Sequence, residues 1–191
     1  MIKSGIKQKK PLKNGKIIVA VSGGFDLIHI GHIRLFKEAK RLGDELVVIL
    51  NNDNWLEQKK GFVFMPQKER QEIIKSLKWV NRVVLTGHRP QPKDMSVTAE
   101  LKKLRPNIFA NGGDRTKNNI PEAALCKEIN CKMVFNVGQG GKVQSSSWLL
   151  EKFLKTESRK SGTKVKMRQR LIDYRVPQRG TQMKMKQRFI A

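Results

Sequence analysis

Residues 16–155 of this 191-residue chain predict an α/β fold, a doubly wound, five-stranded parallel sheet, with a basic, disordered tail at 156–191. Three observations carry that expectation. Apolar, β-branched runs of strand length alternate with segments of helical period, the pattern of a parallel sheet covered on both faces. Polar and glycine-rich segments (SGGFD, NND, NGGDR, VGQGGK) follow four of the five runs, at the carboxyl ends where such sheets bind ligands. The tail has no sustained apolar repeat and few large apolar groups, too little to offset its ordering entropy.

The elements follow in order. KIIVAVSG at 16–23 is a continuous apolar run ending in glycines, as a buried parallel strand should be. HIRLFKEAKRLG at 32–43 is a helix with Ile33, Leu35, Phe36 and Ala39 on one face and Gly43 as its stop. ELVVILNND at 45–53 is the second strand. Pro66 opens a helix through Trp79, with Ile73, Ile74 and Leu77 inward. RVVLT at 82–86 is the third strand, 94–104 a helix, and NIFAN at 107–111 the fourth strand. Pro121 starts a helix to about Ile129, and KMVFNV at 132–137 is the fifth strand. Serines open a last helix at 145–155. The outcome is a Rossmann-like arrangement with a basic extension at 1–15 and no internal repeat.

Composition narrows the function classes. Lys and Arg number 40 against 16 Asp and Glu, a formal charge of +24. Residues 1–16 hold six lysines and no acid; 156–191 hold eleven basic residues against Glu157 and Asp173. That tail suits nonspecific contact with nucleic acid or an acidic surface through counterion release. Its one Tyr and one Phe are too few for a stacking platform. No run of 18 apolar residues exists, and the N-terminus has no apolar signal core. Cys126 and Cys131 cannot by themselves make a disulfide framework or a four-ligand metal site. A reducing, cytoplasmic setting with no protein-held metal is the expectation.

The chemistry concentrates in SGGFDLIHIGH at 22–32. Glycines at a strand end let backbone amides approach an anion. His29 and His32 flank Gly31 where the helix begins, three residues apart, so both rings face one side. Helix N-terminal amides favour phosphate there, and imidazoles can donate hydrogen bonds to its oxygens.

This segment resembles the HxGH nucleotidyltransferase superfamily, and within it the cytidylyltransferase-like branch, over about residues 17–155. GFDLIHIGH is similar to the segment in glycerol-3-phosphate and phosphocholine-type cytidylyltransferases. EQKKGFVFMPQKERQEIIKSLKWV at 57–80 resembles the family's lysine-bearing loop and following helix. NIFANGGDR at 107–115 resembles the strand-end element of glycerol-phosphate and heptose-phosphate enzymes, and KVQSSSWLL at 142–150 the family's serine/threonine helix start. The implied reaction is nucleotidyl transfer: a phosphate monoester attacks the α-phosphorus of a nucleoside triphosphate, and pyrophosphate leaves. By resemblance, His29 and His32 contact the triphosphate, Lys59 or Lys60 neutralises acceptor phosphate, and Arg70 holds the α- and β-phosphates. Gly24, Phe25, Asp26 and Gly31 belong to the nucleotide loop. Asn111, Gly112, Gly113 and Asp114 line the base or ribose, and Ser145 and Ser146 receive the β- and γ-phosphates. Mg²⁺ is implied, bound mainly through substrate phosphates.

The chain departs from the pattern in two places. Gly140 stands where the family has an arginine, with Lys142 as a substitute that lacks the guanidinium fork, and QSSS replaces ISTT. CMP transfer to a polyol or alcohol phosphate is the leading expectation. The GGD form points to the alternative, AMP transfer from ATP to a sugar phosphate. A third reading makes the domain a scaffold for nucleic-acid binding by the basic ends. Relatives of this kind also allow a homodimer. His88 reads as a solvated loop residue, Lys93 as a loop residue within reach of an acceptor phosphate, and Trp55 as either stacking on a base or packing on the sheet.

Overall fold

The computed structural model describes residues 15–113, 115, 120–138 and 145–160. The chain divides into two units at Leu149/Leu150. The first unit contains five strands: β1 (Ile18–Gly23), β2 (Glu45–Leu50), β3 (Arg82–Leu85), β4 (Ile108–Ala110) and β5 (Lys132–Val134). All pair in parallel, in the order β3-β2-β1-β4-β5. The helices are α1 (Ile30–Lys40), α2 (Asp53–Lys60), α3 (Gln67–Lys75), α4 (Thr98–Leu104), α5 (Ala123–Glu128) and α6 (Ser146–Lys160).

Strand alternation divides the core between the two sheet faces. Val19, Val21, Leu46, Val48 and Leu50 pack with Phe36 and Ala39 of α1 and Ile74 of α3. The intervening Ala20 and Ile49 pack with Leu101 of α4, Phe109 and Cys126 of α5. β1 and β2 are buried on both faces, which is why they read as unbroken apolar runs. After β3 the chain crosses back over β1 to lay β4 on its other side. The order therefore reverses between β1 and β4, and the carboxyl ends of those strands form the crevice of a doubly wound sheet.

Several boundaries differ from the sequence reading. α1 begins two residues early, with His29 as its N-cap. α2 lies where the sequence reading has no helix. Asn52 caps it by accepting the Trp55 amide at 3.0 Å, and Gly61 ends it at φ 77°. α3 stops at Lys75 rather than Trp79. α4 starts at Thr98 because Asp94 turns the preceding residues, taking the Ser96 amide at 2.8 Å.

The second unit, described by itself, contains the α6 residues from Leu150 onward. Glu151 and Lys155 pair one turn apart at 2.7 Å. Among the described residues no helix is long and apolar enough to cross a membrane. The expectations for the 1–15 extension and for the tail beyond Lys160 fall outside the described residues, save residue 15.

Candidate active site

The site is assembled from loops at the carboxyl ends of β1, β2 and β4. After β1 the chain turns sharply. Phe25 adopts φ 49° and buries its ring against His32, edge to face at 5.0 Å, and against Phe36 at 5.0 Å. His29 and His32 then stack, with ring centroids 3.7 Å apart and planes within 22°. The His29 amide donates to His32 Nδ1 at 3.3 Å. A neutral His32 therefore carries its proton on Nε2, the nitrogen left to donate to a ligand. Both rings are half-buried.

Burial pushes the His32 pKa down to about 3, helped by His29 and by Lys60. Burial and then Lys60 lower that of His29. The pair is therefore two neutral imidazoles at neutral pH, acting as hydrogen-bond donors rather than as imidazolium charges. Burial also lowers the Lys60 pKa, against the opposing pull of Asp26. The positive charge beside the rings comes from Lys60, whose ammonium rests on the Asp26 carbonyl. Lys59 is exposed. Of the two lysines, the structure brings Lys60 to the histidines.

Asp26 and Arg70 are both engaged within the protein. The Asp26 carboxylate, 2% exposed, accepts the amides of Phe64 at 2.9 Å and Met65 at 2.8 Å. It fastens the 61–66 loop. Arg70 is 0% exposed. Nε donates to the Met65 carbonyl at 2.8 Å, Nη1 to the carbonyls of Gly24 at 2.6 Å and Asn51 at 2.8 Å, and Nη2 to Asp53. Four of its five N–H groups are thus engaged within the protein. In this structure Arg70 is a clamp joining the ends of β1 and β2.

The glycines are placed by close approach. A Cβ on Gly24 would meet Leu56 Cδ2 at 2.7 Å. One on Gly112 would meet the Val137 carbonyl at 2.8 Å. Gly113 takes φ 70° with open space around it. Gly31 lies in the first turn of α1. Asn111 is buried, and its amide nitrogen donates to the Phe109 carbonyl at 3.2 Å, so its side chain braces its own strand end. Ser146 Oγ donates to the Leu27 carbonyl at 2.9 Å, fixing the start of α6 beside the loop that precedes His29. Ser145 caps α6 by accepting the Trp148 amide at 3.2 Å. Asp114, Gly140 and Lys142 lie outside the described residues.

Residues the sequence did not single out complete the frame. Asn52 and Asn54 both donate to the His88 carbonyl, at 2.7 and 2.8 Å. His88 is not a solvated residue. Its ring bonds Thr86 Oγ1 at 2.8 Å and the Ser96 carbonyl at 3.0 Å, locking the loop after β3. Trp55 donates its indole N–H to the Met95 carbonyl at 2.8 Å, packing on that loop. Lys93 is exposed there. Glu38 of α1 accepts the Gly138 amide at 2.6 Å, holding the turn after β5 against the helix.

Among the described residues no group of three His, Cys, Asp or Glu could hold a metal ion. The donor atoms near the histidines also do not fit Mg²⁺, which takes hard oxygens. The Asp26 carboxylate is engaged by two amides, and among the described residues the buried side-chain atoms without a hydrogen-bond partner at these strand ends are one nitrogen, His29 Nδ1, and a single oxygen, Asn51 Oδ1.

Comparison with known proteins matches residues 20–168 to the model of a family described as cytidylyltransferase-like. The chain belongs to the cytidylyltransferase-like family. It is a nucleotidyltransferase, as the resemblance implied. An FAD synthase of Thermococcus sibiricus is 40% identical over 123 residues, 64% of this chain and 78% of that enzyme. An FAD synthase of Pyrococcus abyssi is 38% identical over 103 residues, covering 53% of this chain and 66% of that one. The bifunctional protein HldE of Streptomyces coelicolor is 36% identical over 113 residues, 58% of this chain but 23% of its own length. A crystal structure of a lipopolysaccharide core biosynthesis protein from Thermoplasma volcanium superposes with a TM-score of 0.55 at 30% identity, over 66% of this chain and all of that one.

Proposed function

We propose that this cytidylyltransferase-like chain transfers AMP from ATP to a small phosphate monoester, with FMN the first acceptor to test, and releases pyrophosphate. This reading replaces the expectation of CMP transfer. What supports it is the likeness to FAD synthases over most of their length. FAD is FMN joined through a new phosphoanhydride to adenylate, so such a synthase needs an adenylyl donor. The NGGD element at 111–114 favoured an ATP donor for the same reason of resemblance.

The described residues supply positioning and charge stabilisation, which is most of what an in-line phosphoryl displacement requires. The acceptor phosphate oxygen attacks the α-phosphorus as the bond to the β-phosphate oxygen breaks, and no covalent enzyme intermediate is needed. His32 Nε2–H and the stacked His29 donate to the triphosphate oxygens as neutral groups. Lys60 exchanges the Asp26 carbonyl for a phosphate oxygen. The N-termini of α1 and α6, the positive ends of their helix dipoles, favour negative charge. Mg²⁺, arriving on the polyphosphate rather than on protein ligands, would neutralise charge on the leaving pyrophosphate.

A pyrophosphate-release screen tests this. ATP and CTP are each paired with FMN, a sugar phosphate and a polyol phosphate. Release with ATP and FMN, together with FAD in the product, is expected. Release that requires CTP, or that occurs only with the sugar phosphate, overturns the respective half of the reading.

A further inference from the structure

The segment GFVFMP at 61–66 is apolar throughout, although connecting loops are ordinarily polar. Its backbone is fixed from beneath. Gly61 turns it at φ 77°, Asp26 accepts the Phe64 and Met65 amides, and Arg70 donates to the Met65 carbonyl. Yet Phe64 is 53% exposed. An anchored backbone thus holds a phenyl ring out in water, forgoing the burial such a ring ordinarily gains.

Its position gives that exposure a use. The same Asp26 gives its carbonyl to Lys60 and lies three residues before His29. The Phe64 backbone is therefore fastened to the rim of the histidine site through Asp26. A second exposed apolar side chain, Ile30 at 51%, directly follows His29.

We infer that Phe64 is a specificity residue whose ring stacks on a planar aromatic part of the acceptor phosphate ester. The inference rests on the adenylyl-transfer reading above and deepens it by naming the acceptor class. The histidines and Lys60 grip phosphate, which every acceptor has in common, so discrimination must come from another surface. A polyol or sugar would need hydrogen-bonding side chains to be recognised. The side chains of 61–66 are Phe, Val, Phe, Met and Pro with one glycine, and carry no such group. A phenyl face instead recognises another π face, in the way aromatic side chains hold bases.

Steady-state kinetics of the full chain with ATP and FMN test this. F64A should raise KM for FMN roughly ten- to a hundred-fold, with kcat changing less and KM for ATP unchanged. F64W should restore the FMN KM and quench FMN fluorescence on titration. Equal FMN KM values for wild type and F64A, or a rise confined to ATP, overturn the stacking role while leaving the adenylyl reading intact. A wild type that adenylylates sugar or polyol phosphates but not FMN overturns the aromatic acceptor class and the FMN assignment together. A wild type that uses no ATP at all overturns the reading beneath both.

Discussion

His32 is held as a neutral donor by contacts on three sides: the edge of Phe25, the stacked ring of His29, and the His29 amide on Nδ1. That environment raises the cost of protonating it, and the cost appears in stability as well as in chemistry. In the unfolded chain the imidazole takes a proton below about pH 6.5. In the folded chain it does so near 3. Between those values the unfolded state binds more protons, so stability rises with pH. The contribution is complete above 6.5 and is lost as the pH falls toward 3. H32N keeps an acceptor for the His29 amide but has no ring nitrogen at the Nε2 position. Its turnover should fall by about 10²–10³, the usual cost of removing a transition-state donor. In urea unfolding, the wild type should lose more stability than H32N on going from pH 7.5 to 4.5. Equal losses would mean that the buried imidazole is not the titrating group.

The ends of β1 and β2 meet α2 and α3 at Arg70, and the behaviour of that junction follows from what it joins. Its guanidinium reaches the carbonyls of Gly24, Asn51 and Met65 and the carboxylate of Asp53. R70A leaves those groups without their donor and should cost at least about 1–3 kcal/mol, the penalty of a buried acceptor left unsatisfied. R70K keeps the charge but cannot reach four acceptors lying in different directions; it should also melt lower. A thermal melt of R70K equal to wild type, together with a raised KM for ATP, would return Arg70 to the phosphates. None of this clamp is legible in the sequence, because three of its four partners are main-chain carbonyls, which leave no mark there. The setting of His88 is hidden for the same reason: a threonine hydroxyl and a distant carbonyl hold its ring. The strands and the histidine turn are legible, since β-branched runs, glycines and an i, i+3 histidine pair are local signals. α2 is not, for among its eight residues only Leu56 is buried, and one apolar residue makes no period. Without that helix its phase is unknown, and Lys59 cannot be told from Lys60.

A formal charge of +24 is far more than gripping one triphosphate requires. The histidine site uses Lys60, and the Arg70 charge is sealed inside. Part of the remaining excess, a net +5, lies along the sequence beyond the family match, which ends at residue 168. Residues 169–191 carry Arg170, Arg175, Arg179, Lys184, Lys186 and Arg188 against Asp173 alone. Cations in such a segment bind phosphate backbones by releasing condensed counterions, which makes affinity fall steeply with salt. A scaffold that had given up catalysis would have no need of a stacked, neutral histidine pair beside an ammonium. Deleting 169–191 should leave pyrophosphate release from ATP unchanged. In a salt titration of single-stranded RNA binding, the slope of log affinity against log salt should become shallower by up to about 4, at roughly 0.7 for each phosphate no longer neutralised. An unchanged slope would assign RNA affinity to the rest of the chain. Loss of pyrophosphate release would make the basic segment part of the transfer site.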